Sequence, residues 1–149
     1  MEYLSLEEEW EAQLADGSVY PMQVPGSLDE SRIGGKDMGA NQWHPDADLG
    51  NAENSFDPDA PIATRYTRKH TYEGEAKISR MISYIPEEEK RVFLEVERAR
   101  CLKLEIDGKE IPDYVEPSIS TPHIFEVTDV LDGEHRITLR SDNSYPGLP

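Results

Sequence analysis

The residues best suited to chemistry lie in Asn41-Gln42-Trp43-His44-Pro45-Asp46, where an aromatic ring is flanked by amides, an imidazole and a carboxylate. A saccharide site needs such a set, because the apolar face of a pyranose stacks on an aromatic ring while planar amides or carboxylates bridge neighbouring hydroxyls. Asn41, Gln42, Trp43, His44 and Asp46 are therefore candidate substrate-binding residues; the alternative is that Trp43 fills a gap beneath the surrounding loop, since Trp is highly buried on average. A second candidate is the polar and aromatic turn Asp142-Asn143-Ser144-Tyr145-Pro146, from which Asn143 and Tyr145 are selected.

Other chemistries are poorly served. Asp46, Asp48, Asp57 and Asp59 carry the oxygen ligands calcium takes, but Gly50 stands where the third ligand of an EF-hand loop belongs. No metal or other cofactor is expected, calcium being the one ion that this loop would suit. The four histidines, His44, His70, His123 and His135, lack metal-ligand spacing. A turn-stabilising hydrogen bond is the expected task of His123. Cys101 stands alone in a strand pattern without a Gly-x-Ser-x-Gly elbow elsewhere, so it is read as a packing residue. Among 31 acidic residues some pair will lie close by chance, so proximity alone nominates no acid–base pair. No catalytic residue is assigned, and whether the chain is itself an enzyme stays open at this point.

The elements that must position these residues are strands. Leu102, Leu104 and Ile106 alternate with Lys103 and Glu105, the period of a half-buried strand. It runs into Asp107-Gly108 and Lys109-Glu110-Ile111, a hairpin signal. Asp16-Gly17 follows Trp10 to Leu14, where Trp10 is expected in the core, and Asp132-Gly133 precedes the alternation around Ile137 and Leu139. Further strands are expected over Ala63 to Tyr72, Lys77 to Ile85, Arg91 to Val96 and Ile124 to Val127. Glu7-Glu8-Glu9 and Glu87-Glu88-Glu89 read as solvated turns. No segment keeps a helical period. Short one-faced strands find a core by packing two sheets together, so the class is all-β, a two-sheet antiparallel sandwich of jelly-roll type.

At 149 residues one domain is expected, spanning 1–149, with a long irregular loop at about 34–61. The net charge of −16 opposes binding to phosphate backbones or anionic lipid, so neither nucleic acid nor membrane is an expected partner. A single cysteine and no signal-peptide pattern in the opening residues point to a reducing, cytoplasmic setting.

Several segments taken together resemble one family. Leu6-Glu7-Glu8-Glu9-Trp10, Val24-Pro25-Gly26-Ser27-Leu28-Asp29, Arg65-Tyr66-Thr67-Arg68 and Arg91 to Arg98 are followed by Leu104-Glu105-Ile106-Asp107-Gly108, Ser120 to Thr128 and Gly133 to Asn143. In order and spacing they are similar to the amino-terminal sugar-binding domain of family 2 glycoside hydrolases, the β-galactosidase, β-glucuronidase and β-mannosidase group. Glu9 departs from the family's usual Gly, and 34–61 matches none of its patterns. The resemblance implies a galactose-binding-like jelly roll, normally followed by an immunoglobulin-like domain and a catalytic barrel, both absent here. It implies a non-catalytic role: helping to wall the β-glycoside pocket of a retaining glycosidase, with the remaining domains of the parent polypeptide as partners. The alternatives are a stand-alone carbohydrate-binding module and a purely structural interdomain module.

Overall fold

The computed structural model describes residues 2–36, 70–99, 101–118 and 120–144. By their contacts the residues form two compact units, one of Met1–Val24 with Glu73–Pro149 and one of Pro25–Tyr72. Among the described residues every regular element is a strand, so the all-β expectation holds. No helix there is long and apolar enough to cross a membrane.

Among its described residues the first unit holds eight strands: β1 (Glu8–Leu14), β2 (Val19–Val24), β5 (Glu75–Tyr84), β6 (Phe93–Val96), β7 (Leu102–Ile106), β8 (Lys109–Ile111), β9 (His123–Glu126) and β10 (Gly133–Asp142). Six make an antiparallel sheet in the order β2-β1-β5-β10-β7-β8, and β6 pairs with β9 in a second. β5 and β10 pair without a break from Gly133 opposite Tyr84 to Asp142 opposite Glu75. These two long strands form the middle of the larger sheet.

Alternation decides which side chains enter the core. Trp10, Ala12 and Leu14 point inward from β1, as do Leu102, Leu104 and Ile106 from β7 and Ile137 and Leu139 from β10. Phe125 and Val127 close on them from the second sheet's side. Trp10 is thus a core residue, its indole N–H donating to the Leu6 carbonyl at 3.0 Å. The β7–β8 hairpin turns through Asp107 and Gly108, both at positive φ (52° and 80°), the requirement of a type I′ turn.

In the second unit β3 (Gly35–Lys36) pairs with β4 (His70–Thr71). The turn before β3 is held by Glu30, whose carboxylate accepts the Ser27 backbone N–H at 2.7 Å, and by Asp29, which accepts the His70 N–H at 2.7 Å. Gly34 adopts φ +110°, and a Cβ there would collide with the Thr71 carbonyl. Only a glycine fits.

Several expectations need correction. Glu8 and Glu9 belong to β1 rather than to a turn, because the strand starts before its apolar face does. Cys101 is exposed instead of packed: it precedes β7 and stands out of phase with Leu102, Leu104 and Ile106. β2 was not expected, since Pro21 interrupts its pattern; as an edge strand paired only with β1 it needs no N–H at that position. Of the strand expected over Ala63 to Tyr72, residues 63–69 lie outside the described residues.

Candidate functional site

Asn41, Gln42, Trp43, His44 and Asp46 lie outside the described residues, as do Asp48, Asp57, Asp59 and Tyr145. Asn143, the remaining candidate, follows the end of β10. Its side-chain oxygen accepts the Gly74 N–H at 2.8 Å, and its own N–H donates to the Gly74 carbonyl at 3.4 Å. It therefore continues the β5–β10 pairing one step past the sheet. Beside it Asp142 accepts both the N–H and the hydroxyl of Ser144, at 2.8 and 2.6 Å, and these donors lower its pKa.

Immediately inward along β10, Arg140 lies between two carboxylates. Its Nη2 is 2.7 Å from Glu75 and its Nη1 2.8 Å from Glu105, with Glu75 the larger cause of a guanidinium pKa raised further still. Register explains the arrangement, because Arg140 sits on β10 between β5 and β7 and the three side chains share the outer face. The end of the sheet therefore presents a preorganised rim in which Arg140 is shared between two carboxylates.

A groove of about 410 Å³ opens on the same sheet near β2, lined by Glu9, Glu11, Pro21, Ser79, Met81 and Arg136 among others. Glu11 stands opposite Pro21 on one side and Ser79 on the other, and Met81 opposite Arg136. Arg136 donates from Nη1 to Ser79 Oγ at 2.9 Å and lies 4.0 Å from Glu11. The volume falls within the range of small-ligand sites.

Two histidines hydrogen-bond to carboxylates, and a third, His70, has its Nδ1 3.8 Å from Asp29. His135 Nδ1 is 2.6 Å from Asp107 Oδ2, which raises the imidazole pKa and lowers that of the acid. Asp107 also accepts the Arg136 N–H at 2.9 Å, and His135 Nε2 approaches the Asp132 carbonyl at 2.7 Å. The pair joins the Asp107-Gly108 turn to the Asp132-Gly133 turn, which is structural work. His123 makes the hydrogen bond expected of it, with Nδ1 3.0 Å from Asp113 Oδ1, but from a buried position in β9 rather than from a turn. Among the described residues no group of three or more His, Cys, Asp or Glu is placed to hold a metal ion.

The smaller sheet carries a cluster that sequence reasoning did not single out. Phe93 and Tyr114 meet edge to face at 5.1 Å, and the Arg91 guanidinium lies over both rings, at 4.9 and 5.3 Å. Glu126 holds Arg91 through two bonds of 2.8 Å. The available signal was phase: Leu94 and Val96 pack on the core, so Phe93 must face outward.

No family model matches the chain, and no curated protein matches it. Solved structures do. A β-D-glucuronidase of Dictyoglomus thermophilum superimposes over 93% of this chain with a TM-score of 0.56 at 19% identity, using 19% of its own length. The Ruminococcus gnavus β-glucuronidase gives a TM-score of 0.57 at 14% identity over 94% of this chain and 21% of that one. A β-D-mannosidase of Dictyoglomus thermophilum gives 0.56 at 19% over 95% and 16%. This chain thus spans about a fifth of the length of the structures it matches. At such identity the likeness is one of fold: the chain is an all-β domain that structurally resembles one portion of larger glucuronidases and mannosidases.

Proposed function

We propose that the chain is the non-catalytic amino-terminal sugar-binding and scaffold domain of a family 2 glycoside hydrolase, positioning a catalytic barrel and helping to wall its β-glycoside pocket. The observation that carries this reading is the shared fold, which covers nearly all of this chain and only about a fifth of each glycosidase. The sequence segments from Leu6 to Asn143 that resemble that family support it independently. So does the chemistry of the rim at the end of β10. Arg140 is fixed by Glu75 and Glu105, and Asn143 by Gly74, as befits a wall rather than a reacting centre.

The retaining mechanism expected of the parent needs a nucleophilic carboxylate and an acid/base carboxyl about 5–5.5 Å apart. In this reading both belong to the barrel. The test is the coding sequence that continues from codon 149: it is expected to encode an immunoglobulin-like domain and then a (β/α)8 barrel with two glutamates at strand ends. A reading frame lacking a barrel overturns the proposal.

A further inference from the structure

We infer that the groove beside β2 receives a lysine or arginine side chain of a protein partner, with the aliphatic stem on its apolar wall and the cationic head at Glu9. The inference rests on this groove alone and goes beyond the scaffold role. Strand pairing explains why a groove is here. β1 pairs with β2 as far back as Glu8 but with β5 only from Glu11 to Leu14, so the larger sheet opens between β1 and β5 beside Glu9. The opening encloses about 410 Å³, with Glu9 and Trp10 on one side and Arg80 and Met81 on the other.

Apolar surface gathers in this opening. Val19, Tyr20 and Met81 are 50%, 39% and 44% exposed, and all three line the groove together with Pro21. The core draws instead on Met22 of β2 and Ile82 of β5. Long basic side chains lay their methylenes on such surface while the charged head stays near water.

Charge selects a cation. Arg80 pairs with Glu8 and also donates to the Leu6 carbonyl at 3.4 Å. Arg136 donates to Ser79 and lies 4.0 Å from Glu11. Both guanidiniums of the groove thus have carboxylate partners, while Glu9 has no cationic partner among the described residues. Because Trp10 points into the core, Glu9 and Glu11 turn outward from β1, and the groove keeps one negative charge in excess. The wider field has the same sign: a chain at −16 draws a basic partner and repels an acidic one.

The test is an NMR titration of the 149-residue protein with the blocked tripeptide acetyl-Ala-Lys-Ala-amide, its Arg, Gln and Glu counterparts, and methylammonium, which has the charge without the stem. Saturable shifts are expected at Glu9, Glu11, Val19 and Met81 with the Lys or Arg peptide, and weaker binding of the other three probes. Glu9→Gln should weaken the basic peptide about threefold to fivefold, as loss of a solvent-exposed ion pair does. Met81→Ser should weaken it about threefold through lost contact with the stem. Glu110→Gln, on β8 at the far edge of the same sheet, removes an equal charge and should leave the affinity unchanged. Circular dichroism matching the wild type establishes that each variant folds, and the shift map on the unaltered protein decides the matter if one does not. Four results overturn the inference: no saturable shift with either basic peptide, shifts away from the groove, equal binding of the Gln peptide or methylammonium, or equal weakening by Glu9→Gln and Glu110→Gln. None of them touches the scaffold reading, which fails instead on the reading frame beyond codon 149.

Discussion

His135 and Asp107 show how a surface pair can serve as a clasp between two turns. The imidazole pKa is raised from 6.5 chiefly by Asp107, so its contribution to stability is complete below 6.5 and is lost as pH rises through the elevated folded value. The Asp107 pKa is lowered from 3.8 chiefly by His135, so its contribution is complete above 3.8 and disappears as pH falls through the depressed value. The clasp is therefore strongest between those two ordinary values. Melting temperatures of the wild type and His135→Gln should differ most at pH 4–6.5, with the gap closing towards pH 9. A gap that widens with rising pH would contradict the assignment. At Cys101 the exposed thiol should react with a disulfide reagent in the native protein without prior unfolding. Reaction that waits for unfolding would restore the packing role first expected of it.

At the scale of elements, the core and the edges have separate demands. Phe125 is fully buried between the sheets, so Phe125→Ala should cost about 3–5 kcal/mol in chemical denaturation. A loss below about 1 kcal/mol would mean that the two sheets do not pack as described. β2 ends the larger sheet, and Pro21 removes a donor from that exposed edge. Pro21→Val should restore a continuous edge and increase concentration-dependent self-association in light scattering, while an unchanged monomer would remove the protective role. Where alternation was strict, as in Leu102–Ile106 with its Asp107-Gly108 turn, the element could be read from the sequence to the residue. β2 could not, because a proline that would break an interior strand is harmless at an edge, and only the pairing order reveals which strand is an edge. The two-residue β3 is too short to carry a period at all. The Arg91–Glu126 pair was equally hidden, since 35 residues separate partners that the Phe93–Glu126 register brings together.

At the scale of the whole molecule, the described residues make one six-stranded and two two-stranded sheets in a chain of net charge −16. Among the described residues, Glu75, Glu105 and Asp142 are engaged at the β10 rim, Asp107 by His135 and the Arg136 N–H, and Glu126 by Arg91. Asn143 was the one candidate wall residue that could be placed, and the structure gives it a fixed position beside that rim. On the proposed function, chemistry belongs to a barrel elsewhere in a parent polypeptide. Hydrolysis of p-nitrophenyl β-D-glucuronide, β-D-mannoside and β-D-galactoside should be compared for the 149-residue chain and for the full-length product of its reading frame. The expected outcome is an inert chain and a full-length protein active on at least one substrate. Turnover by the chain alone, abolished by substituting one of its own carboxylates, would contradict it.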